Sequence, residues 1–446
     1  MEQEVSTITT GGLVFTLCLG LLLLVVPRRY AVIPLLMAGC YMTLGHALIV
    51  GGLHFYLIRI LILFGMFRIF MRGEIFSIRL NPIDKVLLAW LMVSSLFFVL
   101  FDGTNARITE RLGSIYNTLG IYLFIRAVVW DLEDIVLIVK MFGIIIIPLA
   151  VLFVVEYVTG KNPFSILGGI PILSEVRNGR IRCQGPFLHS ILAGTFGATA
   201  MPFFVGWWVY SKRNRLLATG AILASTIIVM ASSSSGPLLA YFISIIGLIC
   251  WAYKSHIRSI QWGIVLLLLG LAAYMDAPAW YLISRMSDLT GGGGWYRSAL
   301  IDASIRHFDE WWLFGTGYTA HWMPTGLAID PNVADMTNYY IAQGVNGGIL
   351  AMILFVWLIV KCFKTTGTAV RNESRYSLVE RFMIWSLGCT VLGHAVSFLS
   401  VSYFDQITIF WYLVIGMIAA LLHFGAANQK DLKLSTISHS DSQVTS

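Results

Sequence analysis

What most constrains this chain is a succession of long runs that are apolar on every face, as in Ile135–Val155. A helix without a polar stripe has to be enclosed by protein or by lipid. A membrane span takes about 20 apolar residues. Runs of that kind fall at about 11–26, 30–50, 53–71, 83–101, 113–130, 135–156, 187–209, 215–232, 237–253, 260–277, 338–360, 380–401 and 405–424. The 446 residues are 57% hydrophobic and 12% charged, against about 45–50% and about 25% in soluble domains, which excludes a soluble enzyme with a single tether. A membrane barrel is excluded too, because its strands read as alternating segments of about 10 residues. The expectation is an all-α polytopic membrane protein with about 12–13 transmembrane helices. The bundle occupies residues 1–427, and a Ser/Thr-rich, solvated and disordered tail follows at 428–446.

The net charge of +7 does not mark a nucleic-acid partner, since the bases cap apolar runs instead of forming a stripe. Arg28/Arg29, Arg72/Arg79/Lys85, Lys212/Arg213/Arg215, Lys254/Arg258 and the cluster from Lys361 to Arg381 all fall on one side of an alternating topology. The positive-inside rule makes that side cytoplasmic, together with the tail bearing Lys430 and Lys433, and leaves the acidic N-terminus outside. Residues 1–10 have no basic residue, so the first span is expected to be retained. Five of the six cysteines lie in or beside apolar runs, and Cys183 sits in a hydrophilic loop, so no structural disulfide is expected.

Two long segments, 157–186 and 278–337, face the outer side, and long loops in compact proteins carry function. The second holds five tryptophans, from Trp280 to Trp322. Within it, Ser298–Phe314 reads as an amphipathic helix lying at the membrane interface, with Ile301, Ile305, Phe308 and Trp312 on the apolar face and Asp302, Arg306, Asp309 and Glu310 opposite. Gly291–Gly294 precedes it as a flexible joint, and Gly315 and Gly317 stop it. Against the topological bias, these loops carry Lys161, Arg177, Arg180, Arg182, Arg285, Arg297 and Arg306. Guanidinium forks bind phosphate oxygens in pairs, so the set suits a lipid-linked phosphate or diphosphate, with head groups and nearby carboxylates as the plainer partners.

Four motifs follow in order along residues 170–360. They are Arg182-Cys-Gln-Gly185-Pro186-Phe187-Leu-His189, then Ser232–Ser235 with Gly236-Pro237, then Trp295-Tyr296-Arg297-Ser298 followed by Phe314-Gly315-Thr316-Gly317, and last Asp335-Met-Thr-Asn338-Tyr339-Tyr340 followed by Gly344 and Gly347-Gly348. Order and topology together resemble the O-antigen ligase and polysaccharide polymerase superfamily of bacterial inner-membrane glycosyltransferases. Lipopolysaccharide ligases of that family carry a histidine where this chain has Thr337, which favours the polymerase or exopolysaccharide branch.

The resemblance implies metal-independent, inverting transfer between a donor and an acceptor oligosaccharide, both linked to a polyprenyl diphosphate. The transfer would take place on the outer face of the inner membrane, in exopolysaccharide, capsule or O-antigen synthesis. No cofactor is implied, and no DxD-like metal pair appears in the outer loops. Arg182 and Arg297 match family arginines and are the first candidates to stabilise the leaving diphosphate, followed by Arg306 and Arg285. Arg180, Asn338, Tyr339 and Arg59 are candidate substrate-binding residues. For Arg59, snorkelling to the outer surface is the competing role, as capping is for Asp335 and an aromatic belt for Tyr339 and Tyr340.

The candidate bases are His189, His307, His321, Asp330 and Asp335, with no single assignment. His189 has helix-start bonding to a backbone group as its alternative role. Arg68 and Arg126, near cytoplasmic ends, are expected to snorkel, and His394 to hydrogen-bond within the bundle. Chain-length regulator and flippase proteins are the implied protein partners, besides membrane lipids. Ligation to a lipid A core is the nearest alternative activity. Transport of the lipid-linked sugar is another class, disfavoured because the polar residues gather at one face and not at midplane breaks.

Overall fold

The computed structural model describes residues 6–7, 9–50, 53–101, 105–275, 277–278, 280–282, 294–323 and 332–422. Its helices are α1 (Thr10–Val25), α2 (Val32–Tyr41), α3 (Leu57–Met71), α4 (Pro82–Phe101), α5 (Asn105–Val128), α6 (Leu132–Thr159), α7 (Ser190–Tyr210), α8 (Arg215–Ala231), α9 (Ser235–Ile249), α10 (Ile257–Tyr274), α11 (Gly294–Arg306), α12 (Phe308–Trp311), α13 (Tyr339–Arg371), α14 (Leu378–Ser397) and α15 (Ile407–Leu422). Strands β1 (Ser6–Thr7), β2 (His46–Val50) and β3 (Leu53–Tyr56) form one small sheet, with β1 parallel and β3 antiparallel to β2. Strands β4 (Glu175–Arg177) and β5 (Arg180–Arg182) form a hairpin. A helix stands in each segment where the sequence predicts a span. Five helical stretches, Leu132–Thr159, Ser190–Tyr210, Lys212–Ala231, Ser235–Tyr274 and Tyr339–Arg371, are long and apolar enough to cross a membrane. The chain is a predominantly helical, multi-pass membrane protein.

The second and third expected spans are wrong in part, where they meet. The second stops as a helix at Tyr41, and His46–Val50 instead pairs with Leu53–Tyr56, Val50 opposite Leu53. An apolar run broken by Gly51-Gly52 is long enough for a span when counted by hydropathy alone, yet the break suits a hairpin better than a helix. The amphipathic segment also differs. It forms α11, breaks at His307 and resumes as the single turn of α12. Its buried face is Tyr296, Leu300 and Ala303, while Ile305, Phe308 and Trp312 stand exposed. The three-to-four spacing is real, but the face it marks is the outer one. The Gly291–Gly294 joint is outside the described residues except for Gly294, and so is the tail 428–446.

α7 is the central helix, packed against α8, α9 and α14 and buried along most of its length. Its glycines permit this close approach: Gly194 lies against Ser232 and Pro237, Gly197 against Ser225, and Gly206 against Ser386. A smaller core, separate from the main one, joins Tyr296, Leu300, Ala303, Trp311 and Trp322 of the second long segment to Ala334 and to Ile341 and Val345 of α13.

α6 runs from Asp131, which caps its first turn, to Gly160 in the left-handed region at its end, and so relates two different ends of the bundle. At the end where α6 begins, Arg68 is buried and lies 3.1 Å from both Glu74 carboxylate oxygens. Arg126 is buried 3.1 Å from Asp84, and Arg28 pairs with Asp134. The expectation that Arg68 and Arg126 snorkel is therefore overturned. Each has a carboxylate within reach on a neighbouring turn or helix, and a buried, hydrogen-bonded pair replaces contact with the surface.

Candidate functional site

The end where α6 finishes carries the site. The β4–β5 turn is Asn178-Gly179, with φ of 52° and 72°, the left-handed pair that a two-residue hairpin favours. Its register sets Arg177 opposite Arg180 and Glu175 opposite Arg182. Beyond β5 the chain is pinned from two sides. Glu156, buried at the end of α6, accepts the N–H groups of Gln184 and Gly185 at 3.0 and 2.9 Å and the Ser174 hydroxyl at 2.8 Å. The Cys183 N–H reaches the Ala231 carbonyl at 3.0 Å, and the Ser233 hydroxyl donates to the Ile181 carbonyl at 2.9 Å. Cys183 is thus buried, not in a solvated loop as expected, and all six cysteines are free.

These contacts aim Arg182. Its Nη1 lies 2.7 Å from Glu175 and its Nη2 donates to the Ser234 hydroxyl at 3.1 Å, while Nε is buried without a hydrogen-bond partner among the described residues. Arg182 ends a strand, not a helix start. Arg297, in the first turn of α11, donates through Nε to the Ser400 carbonyl at 3.2 Å. The two arginines are neighbours by construction. Ser400 packs so closely on Gly236, two residues beyond Ser234, that a Cβ there would stand 2.5 Å from its Oγ.

Electrostatics tie further groups to this pair. Burial, then Arg177 and Arg182, hold the Arg297 guanidinium below its ordinary value, with Asp335 opposing. Burial and Arg182 lower His189. Desolvation raises the Asp335 carboxyl, and Arg297 pulls it back. Among the described residues, Arg177 and Arg297 have no ion pair within 4.0 Å. Thr337 Oγ1 and Ser190 Oγ, on adjoining segments, are also buried without a hydrogen-bond partner.

The last two motifs interlock above the pair. α13 is broken at Gly347 and Gly348, the latter at φ 72°, and the turn after α12 docks into the break. Ile349 donates to the Trp312 carbonyl at 2.7 Å, and Thr316 to that of Val345 at 2.8 Å. A side chain at Gly315 would meet the Val345 carbonyl, and one at Gly348 that of Leu313. The Tyr296 hydroxyl donates to the Asp335 carbonyl at 3.0 Å, which fixes α11 against the entry to α13.

The predicted residues separate into groups. Arg182, Arg297, His189 and Asp335 converge, with Arg177 added. His189 is the N-cap of α7: its Nδ1 accepts the Ile191 N–H at 3.1 Å, which puts the neutral ring's proton on Nε2 and makes it a donor, not a base. Arg180 is exposed on the hairpin, and Arg306 is exposed on α11 with its Nε 3.4 Å from the Asp302 carbonyl, outside the group. Arg59 lies 5.1 Å over the Tyr56 ring and close against Gly113 of α5, so it packs within the bundle.

Asn338, not Asp335, caps α13, its Oδ1 accepting from Tyr340 and Ile341 at 3.0 and 3.2 Å. Tyr339 stacks among Phe355, Phe398 and Tyr403, and Tyr340 donates to the Ala395 carbonyl at 2.8 Å, so neither forms an aromatic belt. His394 is buried, with Nδ1 2.6 Å from the Tyr403 hydroxyl, as expected of a satisfied partner. His321 pairs with Glu310 at 2.9 Å, apart from the arginines. Arg285 and Asp330 lie outside the described residues.

Sequence reasoning placed Ser234 within a motif without assigning it a partner, and missed Glu156, Ser400 and Asp405. Glu156 and Ser400 read as the tails of expected spans and Asp405 as the start of the last one. Asn178-Gly179 between short runs is the one overlooked signal that pointed to a hairpin. No protein-family model matches the chain, and neither does any curated protein.

Proposed function

We propose that the chain is a glycosyltransferase of the polymerase type, joining oligosaccharide repeat units carried on polyprenyl diphosphate at the outer face of a bacterial inner membrane. The observation that carries the reading is the convergence of Arg182, Arg297 and Arg177, with one carboxylate paired to them among the described residues, where residues of all four sequence motifs come together. An excess of fixed cations around a buried, unpartnered N–H group is suited to a diphosphate.

In the reaction an acceptor hydroxyl oxygen attacks the anomeric carbon of the donor. The carbon–oxygen bond to the diphosphate breaks, and its electron pair leaves with the phosphate. The arginines stabilise that developing charge. Asp335, whose carboxyl lies in the field of Arg297, takes the hydroxyl proton. Thr337, in place of a histidine, favours polymerisation over ligation.

Substitution tests this. Lys at Arg182 or Arg297 keeps charge but loses the fork, so it fails nearly as badly as Ala. Each costs roughly 2.7–4 kcal/mol in the transition state, about a hundred- to a thousandfold in rate. Polymer length and yield are read by gel in a deletion strain complemented at equal membrane expression, with Arg371→Ala as a neutral control. Normal polymer from both alanine variants overturns the reading, and glycan transferred to lipid A core without polymerisation supports ligation instead.

A further inference from the structure

A second cluster of chemistry lies apart from the arginine group. His307 stands at the junction of α11 and α12, Glu310 lies three residues on within α12, and His321 comes from the short turn Ala320–Trp322. His307 Nδ1 is 2.7 Å and His321 Nε2 is 2.9 Å from the same Glu310 oxygen, Oε1. All three ligand atoms lie within 4.8 Å of one another. We propose that His307 Nδ1, Glu310 and His321 Nε2 bind one divalent transition-metal ion of the zinc class, fastening α12 to the turn at 320–322.

Three features carry this. The donor set is two imidazoles and a carboxylate, the mixed nitrogen and oxygen set that zinc takes with a water in the fourth position. The spacing is close to what the ion needs. With metal–ligand bonds of about 2.0–2.1 Å, the edges of a tetrahedral site are about 3.3 Å, so the two short contacts open by roughly half an ångström and the histidines draw together. These are side-chain movements only.

The third feature is that the groups behind the ligands are in place. The Trp322 indole N–H donates to the other carboxylate oxygen, Oε2, at 2.9 Å and so directs Oε1 toward the histidines. The rings are also held face to face, His307 on Trp322 at 10° with centroids 5.7 Å apart, and His321 on Tyr318 at 15° with centroids 5.2 Å apart. Each ligand side chain is only about a third exposed, so an entry path from solvent is open.

The consequence is mechanical. Between Glu310 and His321 lies the turn that docks into the break of α13, so the ion would close a short loop around that turn. The proposal rests on this geometry and not on the glycosyltransferase reading, and its test does not use polymer synthesis.

The full chain is purified in detergent, stripped with a chelator, loaded with Zn²⁺ and desalted, and bound metal is measured. One equivalent is expected in the wild type and in His256→Ala, and none in His307→Ala or His321→Ala. Co²⁺ in place of Zn²⁺ should give the visible bands of a four-coordinate site. Because an alanine variant can lose metal by misfolding, a second measurement uses the wild type alone. Histidine modification by diethylpyrocarbonate is mapped by mass spectrometry with and without Zn²⁺, and protection should be confined to His307 and His321. Absence of a bound equivalent overturns the proposal, and so does protection that spares these two histidines.

Discussion

Asp405, on the connection between α14 and α15, offers a perturbation whose sign and size both follow from the structure. The residue sits at φ 63°, and its Oδ2 accepts the Leu188 N–H at 2.8 Å, next to the capping His189. Its other oxygen, Oδ1, is buried with no hydrogen-bond partner among the described residues. Burial raises the carboxyl from its ordinary 3.8 to about 7, with the Leu188 and Gln406 N–H groups opposing. A carboxyl raised on folding stabilises the fold while protonated. That contribution is full below 3.8 and is lost as the pH rises through about 7.

Over that window the wild type loses about 1.4 kcal/mol per pH unit from this group, or about 4 kcal/mol in all. Asp405→Asn removes the titration but leaves an amide N–H unsatisfied where Oδ1 was, at a cost of about 1–3 kcal/mol. The variant should therefore be less stable than the wild type near pH 4 and should gain on it steadily, equalling or passing it near pH 8. Denaturant unfolding in detergent, followed by tryptophan emission at several pH values, measures the difference. A difference that does not change with pH refutes the assignment of a raised carboxyl to Asp405.

At the opposite end, Asp84→Ala leaves the buried Arg126 without its carboxylate and should cost about 3–5 kcal/mol, read as loss of monodisperse protein on heating, whereas an exposed change such as Arg371→Ala should stay within about 0.5 kcal/mol. Gly348→Ala forces a side chain into the left-handed region and to 2.3 Å from the Leu313 carbonyl, so the turn after α12 should undock, with chymotrypsin cutting faster at Leu313, Phe314 or Tyr318. Single cysteines placed at Asn178 and Asn372 test orientation: an impermeant thiol reagent should label the first in intact cells and not the second, and the reverse result overturns the outer placement of the arginine site.

The helical bundle was legible because hydropathy over about 20 residues is a one-dimensional signal. The failures came where the same apolar residues serve another end. His46–Val50 ends a run apolar enough for a span, but it pairs antiparallel with Leu53–Tyr56. Arg68 and Arg126 looked like snorkelling residues because their partners, Glu74 and Asp84, are chosen by packing across turns and helices. Within the site, Arg182 and Arg297 were readable as arginines in outer loops, and their neighbourhood was not. Ser234 and Ser400, which hold them, lie 166 residues apart, one in a motif turn and the other at the end of an expected span, and nothing local joins the two. His307, Glu310 and His321 show the same limit, since no local motif unites a residue with one that returns after a docked turn.

The two ends of the bundle treat arginine in opposite ways, and that contrast bears on function more than the number of arginines does. Where α6 begins, Arg28, Arg68 and Arg126 each meet a carboxylate, so the cost of removing them from water is met within the protein. Where α6 ends, among the described residues Arg297 has a single carbonyl contact, Arg177 adds a second charge, and only Arg182 has a carboxylate, on a half-exposed Glu175. If solvation of loose surface charge explained Arg182 and Arg297, their side chains would lie exposed, as those of Arg177, Arg180 and Arg306 do. Instead Glu156, Ser234 and Ser400 hold the backbone and side chains so that burial, then the charges of Arg177 and Arg182, keep the Arg297 guanidinium below its ordinary value. Such an arrangement is unfavourable alone and becomes favourable when a dianion enters, which is the electrostatic condition a leaving diphosphate requires.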